Sequence, residues 1–130
     1  DEVEFARPPK TVQTAKHQKV HQVAEYLSAY CESDESLEEI GKRFYISKSY
    51  LSRIFREVTG FSVGEYRNLA RIKKGQKLLE YSGYSVTEIA ELLGFESVTY
   101  FERVFKKLAA TTPKKYRKYK RNGTVTGDFW

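Results

Sequence analysis

The chain has little cysteine and no methionine, and both gaps limit what it can be. A single cysteine, Cys31, in 130 residues excludes an intrachain disulfide and any zinc cluster built from cysteines. One thiol fits a reducing compartment, so we expect the cytoplasm. Because methionine is absent, Asp1 is not a retained initiator, and we expect the sequence to be part of a longer protein.

Long apolar runs are missing as well. No segment approaches the roughly 20 apolar residues of a membrane-spanning helix, and no signal-peptide core is present. We therefore expect no membrane partner. Hydrophobic residues make up 40% of the chain and aromatic residues 15%, which predicts a folded domain rather than a disordered one.

Positive charge is in excess. Lysine and arginine number 23 against 17 acidic residues, which gives a net charge of +6 and favours a polyanionic partner. The charge is also polarised along the chain. Six basic residues and no acid lie between Pro113 and Arg121, whereas five acids lie between Glu32 and Glu39.

Apolar spacing predicts an all-α chain with about seven helices, and no strand-like alternation competes with it. The first predicted helix runs from about Lys16 to Cys31. Its apolar stripe consists of Val20, Val23, Ala24, Leu27, Tyr30 and Cys31. Later helices begin at capping serines, two of them in capping-box patterns. These boxes are Ser36 with Glu39 and Ser85 with Glu88, and Thr112-Pro113 opens the last helix.

An internal repeat organises the chain. Residues 47–67, shifted by 50, meet six identical residues in 97–117, and the preceding short helix repeats at a shift of 49. The sequence thus contains two copies of a short helix, a tight turn and a second helix. We expect a linker over 1–15, a first subdomain over 16–61, a linker helix over 62–82, a second subdomain over 83–121 and a tail over 122–130.

Each copy has the features of a helix-turn-helix unit. A small residue, Gly41 or Ala90, lies where the two helices cross closely, and apolar residues flank each turn. The second helix of each unit then has a polar strip at i, i+3, i+4 and i+7 spacing. The two strips are Ser49, Ser52, Arg53 and Arg56, and Thr99, Glu102, Arg103 and Lys106.

Such strips suit the reading of DNA bases. Arginine can bridge guanine O6 and N7, and small hydroxyl side chains bond to several bases. Helix N-termini and nearby lysines can hold phosphates. The predicted phosphate contacts are Ser47, Lys48, Ser97, Lys106, Lys114, Lys115 and Arg117.

A family pattern is visible in both halves of the chain. In the second half it consists of residues 89–97, Tyr100-Phe101, Arg103, Phe105-Lys106, Pro113 and Tyr116-Arg117. In the first half it consists of Ile40, Ser47, Tyr50-Leu51, Phe55, Gly60, Tyr66 and Arg71. With these residues the chain resembles the AraC/XylS family of transcription regulators over about residues 20–120.

The resemblance implies two helix-turn-helix subdomains joined by a long helix over 62–81. That helix would hold recognition helices 48–57 and 98–107 about one DNA turn, roughly 34 Å, apart, so that both enter successive major grooves. By position, Arg53 is the first expected base reader, followed by Ser49 and Ser52. In the second helix the expected readers are Thr99, Arg103 and Val98. Of these, Val98 would touch a thymine methyl group.

Three positions depart from the family pattern. Gly75 stands where alanine is usual in the linker helix, and mid-helix glycine costs about 1 kcal/mol relative to alanine, so we expect a more flexible rod. Ala110 replaces the frequent glycine after the second recognition helix, so we expect an altered C-cap. Glu102 either accepts from cytosine N4 or weakens the contact by repelling phosphate.

The expected partner is double-stranded operator or promoter DNA. The resemblance also implies RNA polymerase and a missing N-terminal domain that senses an effector or dimerises, and a receiver domain would fit as well. No cofactor, metal or catalytic residue is expected, and the protein is not expected to be an enzyme.

Two alternatives stay open at this stage. One is a protein-interaction module whose helix pairs bind another protein. The other is a metal-dependent enzyme built on His17 and His21, with Glu25 one turn on, although an exposed polar face explains that i, i+4 spacing more simply.

Overall fold

The structure, a computed structural model, describes residues 10–122, with side chains from Ala15 onward. Residues 1–9 and the C-terminal part of the expected tail, residues 123–130, lie outside it. The described residues form seven α-helices and no strand, which confirms the all-α prediction. The helices are α1 (Lys10–Ala29), α2 (Leu37–Arg43), α3 (Lys48–Thr59), α4 (Val63–Tyr81), α5 (Val86–Leu92), α6 (Val98–Ala109) and α7 (Pro113–Asn122).

The bounds of α1 differ from the prediction. The helix begins at Lys10 rather than at about Lys16. The prediction began too late because no apolar period marks residues 11–14 as helical in the sequence. It ends at Ala29, and Tyr30 is 53% exposed, so the prediction that Tyr30 continues the apolar stripe was wrong. The rest of that stripe is buried, apart from the half-buried Ala24.

The described chain divides into two compact units. Unit 1 comprises residues 10–29 and 35–66, and unit 2 comprises residues 30–34 and 67–122. The division falls inside α4, so each unit includes one part of the helix that the sequence assigned to a separate linker.

The core of unit 1 is made by three helices and the start of α4. Its buried residues are Val20, Val23, Leu27, Ile40, Leu51, Ile54, Phe55 and Val63. The Ser36–Glu39 capping box that opens α2 is present: Glu39 N donates to Ser36 Oγ at 3.1 Å, and Ser36 N donates to Glu39 Oε1 at 2.8 Å. Gly60 ends α3 in the left-handed conformation with a φ of 81°, as predicted.

The core of unit 2 is more aromatic. Phe95, Phe101, Phe105 and Tyr116 form a chain of ring contacts with centroids 5.2 to 5.7 Å apart. Gly75 lies in α4 against this core, and a Cβ atom there would be 3.0 Å from Leu93 Cδ1. The glycine thus has a packing role in unit 2, which the expectation of a flexible rod did not include.

The two helix-turn-helix turns share one geometry. Ile46 N donates to Gly41 O, and at the equivalent place Phe95 N donates to Ala90 O, both at 3.0 Å. A Cβ atom on Gly41 would lie 2.6 Å from Ile46 O, which explains the small residue predicted at this crossing. In unit 1 this close approach restricts the angle at which α3 leaves the turn.

Candidate nucleic-acid interface

Serine residues fix the start of α3 and α6, the two predicted recognition helices. Ser47 Oγ accepts from Tyr50 N, and Ser97 Oγ accepts from Tyr100 N, each at 3.1 Å. Since a hydroxyl is also a donor, the Ser47 and Ser97 hydrogens can still be offered to a phosphate oxygen. These two predicted phosphate contacts are therefore compatible with their capping role.

The polar strip of α3 is present as predicted. Leu51, Ile54 and Phe55 are fully buried and pack α3 against the rest of unit 1, so that the opposite side of the helix faces outward. The structure brings the predicted residues together on that exposed side. They are Ser49, Ser52, Arg53 and Arg56, and Lys48 is exposed at the start of the helix.

Arg53 lies between an aromatic ring and a carboxylate. Its guanidinium carbon is 5.1 Å from the centroid of the Tyr50 ring, and its Nη1 is 3.5 Å from Glu57 Oε2. Glu57 Oε1 in turn accepts from Lys16 Nζ of α1 at 3.1 Å, and this hydrogen bond lowers the pKa of Glu57. The i, i+4 spacing of Arg53 and Glu57 was a visible signal that sequence reasoning missed, whereas Lys16 is 41 residues from Glu57 and gave none.

The strip of α6 has the same layout in unit 2. Thr99, Glu102, Arg103 and Lys106 are exposed. The Arg103 guanidinium is 6.0 Å from the Tyr100 ring centroid, and Tyr100 Oη accepts from Asn68 Nδ2 at 3.4 Å.

Val98 differs from the other predicted base readers in unit 2. Its side chain is half-buried and packs against the hydrophobic core of the unit, so only part of it is available to a ligand. It is therefore the least accessible member of the predicted set.

The first turn of α7 exposes two of the predicted phosphate contacts, Lys114 and Lys115. Thr112 caps this helix, since Lys115 N donates to Thr112 Oγ1 at 3.2 Å. The cap confirms the predicted role of Thr112-Pro113 and holds both lysines at the positive end of the helix dipole.

Arg117 is engaged elsewhere. Its Nε donates to Leu79 O at 3.0 Å and its Nη2 to Tyr84 O at 2.5 Å, which satisfies carbonyls at and after the end of α4. Burial, followed by the charge of Arg121, lowers the pKa of Arg117. The guanidinium thus holds the chain that leaves α4, and the geometry does not favour the predicted phosphate contact.

Arg71 and Arg121, which correspond to each other at a shift of 50, also donate to backbone carbonyls. Arg71 Nε donates to Cys31 O at 2.5 Å and its Nη2 to Ser33 O at 3.0 Å, while Arg121 donates to Ser82 O. Neither structural role was predicted, because each carbonyl lies 38 to 40 residues away in sequence.

Positive charge is unevenly divided between the units. Among the described residues, unit 1 has 8 basic and 6 acidic residues, whereas unit 2 has 14 basic and 7 acidic residues. Unit 2 therefore has most of the charge that could neutralise phosphates.

The described residues bear on metal binding by His17 and His21 and on membrane insertion. His21 Nε2 lies 3.3 Å from Glu25, both side chains are at least 70% exposed, and no group of three metal-ligating side chains occurs between residues 10 and 122. No helix in that same range has the length and apolar character needed to cross a bilayer.

The chain is similar to known DNA-binding and regulatory proteins. A family described as "Helix-turn-helix domain" matches residues 40–119. The regulatory protein PocR of Salmonella typhimurium is 31% identical over 104 residues, which cover 80% of this chain and 34% of PocR. The chain thus spans about a third of the length of that relative.

Two solved structures have the same fold. The C-terminal domain of AraT, a response regulator from Geobacillus stearothermophilus, is 29% identical with a TM-score of 0.72, covering 77% of this chain and 84% of that domain. The DNA-binding domain of AdpA, solved in complex with a target DNA, is 27% identical with a TM-score of 0.74, covering 82% of this chain and 97% of that domain.

The folded units and their paired polar strips define a helix-turn-helix DNA-binding protein. More specifically, the chain belongs to the AraC-type helix-turn-helix family, the DNA-binding domains of transcription regulators. This confirms the family that the sequence motifs indicated.

Proposed function

We propose that the chain reads two segments of double-stranded DNA, with α3 and α6 in successive major grooves. One observation carries this proposal: an arginine beside a tyrosine ring recurs on the exposed strip of both helices, as Tyr50 with Arg53 and Tyr100 with Arg103. An arginine whose flat face is supported in this way presents its edge for two hydrogen bonds to guanine.

The other predicted contacts divide by chemistry. Base readers are Ser49, Ser52, Arg53 and Arg56 in unit 1, and Thr99, Glu102 and Arg103, with a partial contribution from Val98, in unit 2. Phosphate contacts are Ser47, Lys48, Ser97, Lys106, Lys114 and Lys115. Their exposure supports this assignment, and all of them except Lys106, which lies in the last turn of α6, are positioned at helix N-termini. Arg117 is left out because its donors face backbone carbonyls.

The proposed activity is binding, without catalysis or a cofactor, and its place is the cytoplasm, where a bacterial regulator meets promoter DNA. We also propose RNA polymerase and a further N-terminal domain as partners. AraT is a response regulator, so a receiver domain would fit as this N-terminal domain. A ligand-sensing or dimerising domain would fit as well.

The test is selection of bound duplexes from a random library, followed by titration of the selected site against salt. We expect an asymmetric site with two segments about 10 base pairs apart and an affinity that falls steeply as salt rises. Arg53→Ala should relax selection at one position at a cost of about 1–3 kcal/mol. No binding of any duplex at low salt would contradict the proposal and favour a protein-interaction module.

A further inference from the structure

A chain of contacts links the N-terminal helix of unit 1 to its principal base-reading arginine. Lys16 Nζ donates to Glu57 Oε1 at 3.1 Å, and the other oxygen of the same carboxylate lies 3.5 Å from Arg53 Nη1. All three residues belong to unit 1. The carboxylate of Glu57 is shared: one oxygen accepts from Lys16 of α1, and the other faces Arg53 one turn earlier on α3.

This sharing restricts the guanidinium of Arg53 in two ways. The Tyr50 ring supports one face at 5.1 Å, and Glu57 takes the Nη1 end. The edge formed by Nε and Nη2 is the one that these two contacts do not use, and it has the two donors that guanine O6 and N7 require. A side chain that is already oriented loses less rotamer freedom when it binds.

The arrangement is specific to unit 1. At a shift of 50, the equivalent of Glu57 is Lys107, so Arg103 in unit 2 has a lysine, not a carboxylate, at i+4. An acidic residue on a DNA-facing helix also repels phosphate unless a cation compensates its charge. Lys16 supplies that cation from α1.

We propose that Glu57 is a positioning residue that orients Arg53 for base contact, and that Lys16 fixes Glu57 in this role. This inference rests on the proposed reading of bases by α3. It assigns a part in sequence discrimination to α1, a helix outside the helix-turn-helix pair, and to two residues that are not themselves expected to touch a base.

The experiment measures discrimination at a single base pair. Arg53→Ala first identifies the base pair that Arg53 reads in the selected site. For each further variant, the ratio of Kd values is then measured between duplexes with the preferred and the substituted pair. Glu25→Gln is the matched control, because it removes the same charge from an exposed glutamate of unit 1.

We expect Glu57→Gln to lower discrimination at that base pair by about two- to five-fold, the range for one exposed ion pair. Lys16→Met should also lower discrimination at that base pair, whereas Lys16→Arg, which keeps the positive charge, should leave it unchanged. Because the contacts act in series, the double variant Lys16→Met/Glu57→Gln should be no worse than Glu57→Gln alone. In an Arg53→Ala background neither change should alter the ratio.

A uniform change in affinity would contradict the inference. If Glu57→Gln changes the affinity for every duplex by one factor, as Glu25→Gln should, Glu57 acts through charge alone and the inference is overturned while the proposed function stands. If the unmodified chain selects no sequence, both are overturned.

Discussion

Tyr45 and Gly94 adopt the same left-handed backbone conformation at equivalent places in the two turns, with φ values of 61° and 86°. At position 94 glycine is required, since a Cβ atom would lie 2.2 Å from Glu32 O. Tyr45 is 92% exposed, so its side chain does not hold the turn in place. The crossing of the two helices imposes this conformation, whichever residue occupies the position.

Replacement of Tyr45 by glycine should therefore stabilise the protein. A non-glycine residue in the left-handed region costs about 1–2 kcal/mol, partly offset by the greater freedom of glycine in the unfolded chain. We expect the free energy of unfolding to rise by about 0.5–1 kcal/mol in urea titrations. Gly94→Ala is the control and should destabilise the chain. A less stable Tyr45→Gly variant would show that the tyrosine side chain stabilises the turn.

Ala110 should respond in the same way at the end of α6. It caps that helix with a φ of 64°, and its N–H donates to Lys106 O at 2.9 Å. The cap thus keeps the left-handed conformation that glycine favours, so the prediction of an altered C-cap was wrong. Ala110→Gly should raise the free energy of unfolding by about 1 kcal/mol, measured by chemical denaturation.

The converse change in unit 1 tests the same argument. Gly60 is left-handed, and a Cβ atom there would meet nothing within 4 Å, so Gly60→Ala isolates backbone strain from steric overlap. It should be destabilising by a similar amount. An unchanged midpoint for both variants would contradict the argument.

Gly41→Ala should destabilise unit 1 through a direct clash. The added methyl group would lie 2.6 Å from the carbonyl oxygen of Ile46, a backbone atom that can move only if the turn opens. We expect a loss of about 1–3 kcal/mol, seen as a lower midpoint in thermal unfolding. An unchanged midpoint would mean that the turn in unit 1 opens easily.

Arg117 and Lys115 should separate stability from DNA binding. Arg117→Met removes donors from the carbonyls of Leu79 and Tyr84, which should lower the free energy of unfolding by about 1–3 kcal/mol. Lys115→Met should leave stability unchanged and reduce the slope of log affinity against log salt by about 0.9. Thermal melts and fluorescence anisotropy measure the two quantities. A reduced salt slope in Arg117→Met would show that Arg117 neutralises a phosphate after all.

Cys31 should make stability depend on pH in the alkaline range. Burial raises the pKa of its thiol above the ordinary value of 9.0. The folded chain then keeps this proton where the unfolded chain loses it, so the contribution is complete below that value and is lost as pH rises towards the folded-state pKa.

Cys31→Ala removes this ionisation. The stability difference between the unmodified chain and Cys31→Ala should therefore shrink between about pH 8 and about pH 10, measured by urea titration at each pH. Other groups also titrate there, and the comparison of the two proteins cancels their effect. A constant difference would contradict the expected shift.

Local signals in the sequence predicted most helix starts and stops. Capping boxes such as Ser36 with Glu39 need only neighbours three residues apart, and Gly60 needs only its own backbone freedom. The repeat then placed the exposed strips, because buried Leu51 and Phe105 fix which side of each helix faces inward. Fold class and candidate interface were therefore predictable to a large extent.

Contacts between distant residues were not predictable. Arg117 and Lys115 have the same charge and stand two residues apart, yet only Arg117 reaches carbonyls about 35 residues away. The role of Gly75 depends on Leu93, and that of Lys16 on Glu57. Each of these pairings exists only after the helices have packed.

The part that α1 plays in the core of unit 1 bears on the design of hybrid regulators. The family match starts at residue 40, but Val20, Val23 and Leu27 of α1 cover Ile40, Leu51 and Phe55 of the helix-turn-helix pair. A fragment cut at the family boundary would keep α3 and α6, the helices that we propose to face DNA, but it would expose to water the apolar surface of unit 1 that α1 covers. The transplantable module therefore begins with α1, and a junction in a chimaeric regulator belongs ahead of that helix.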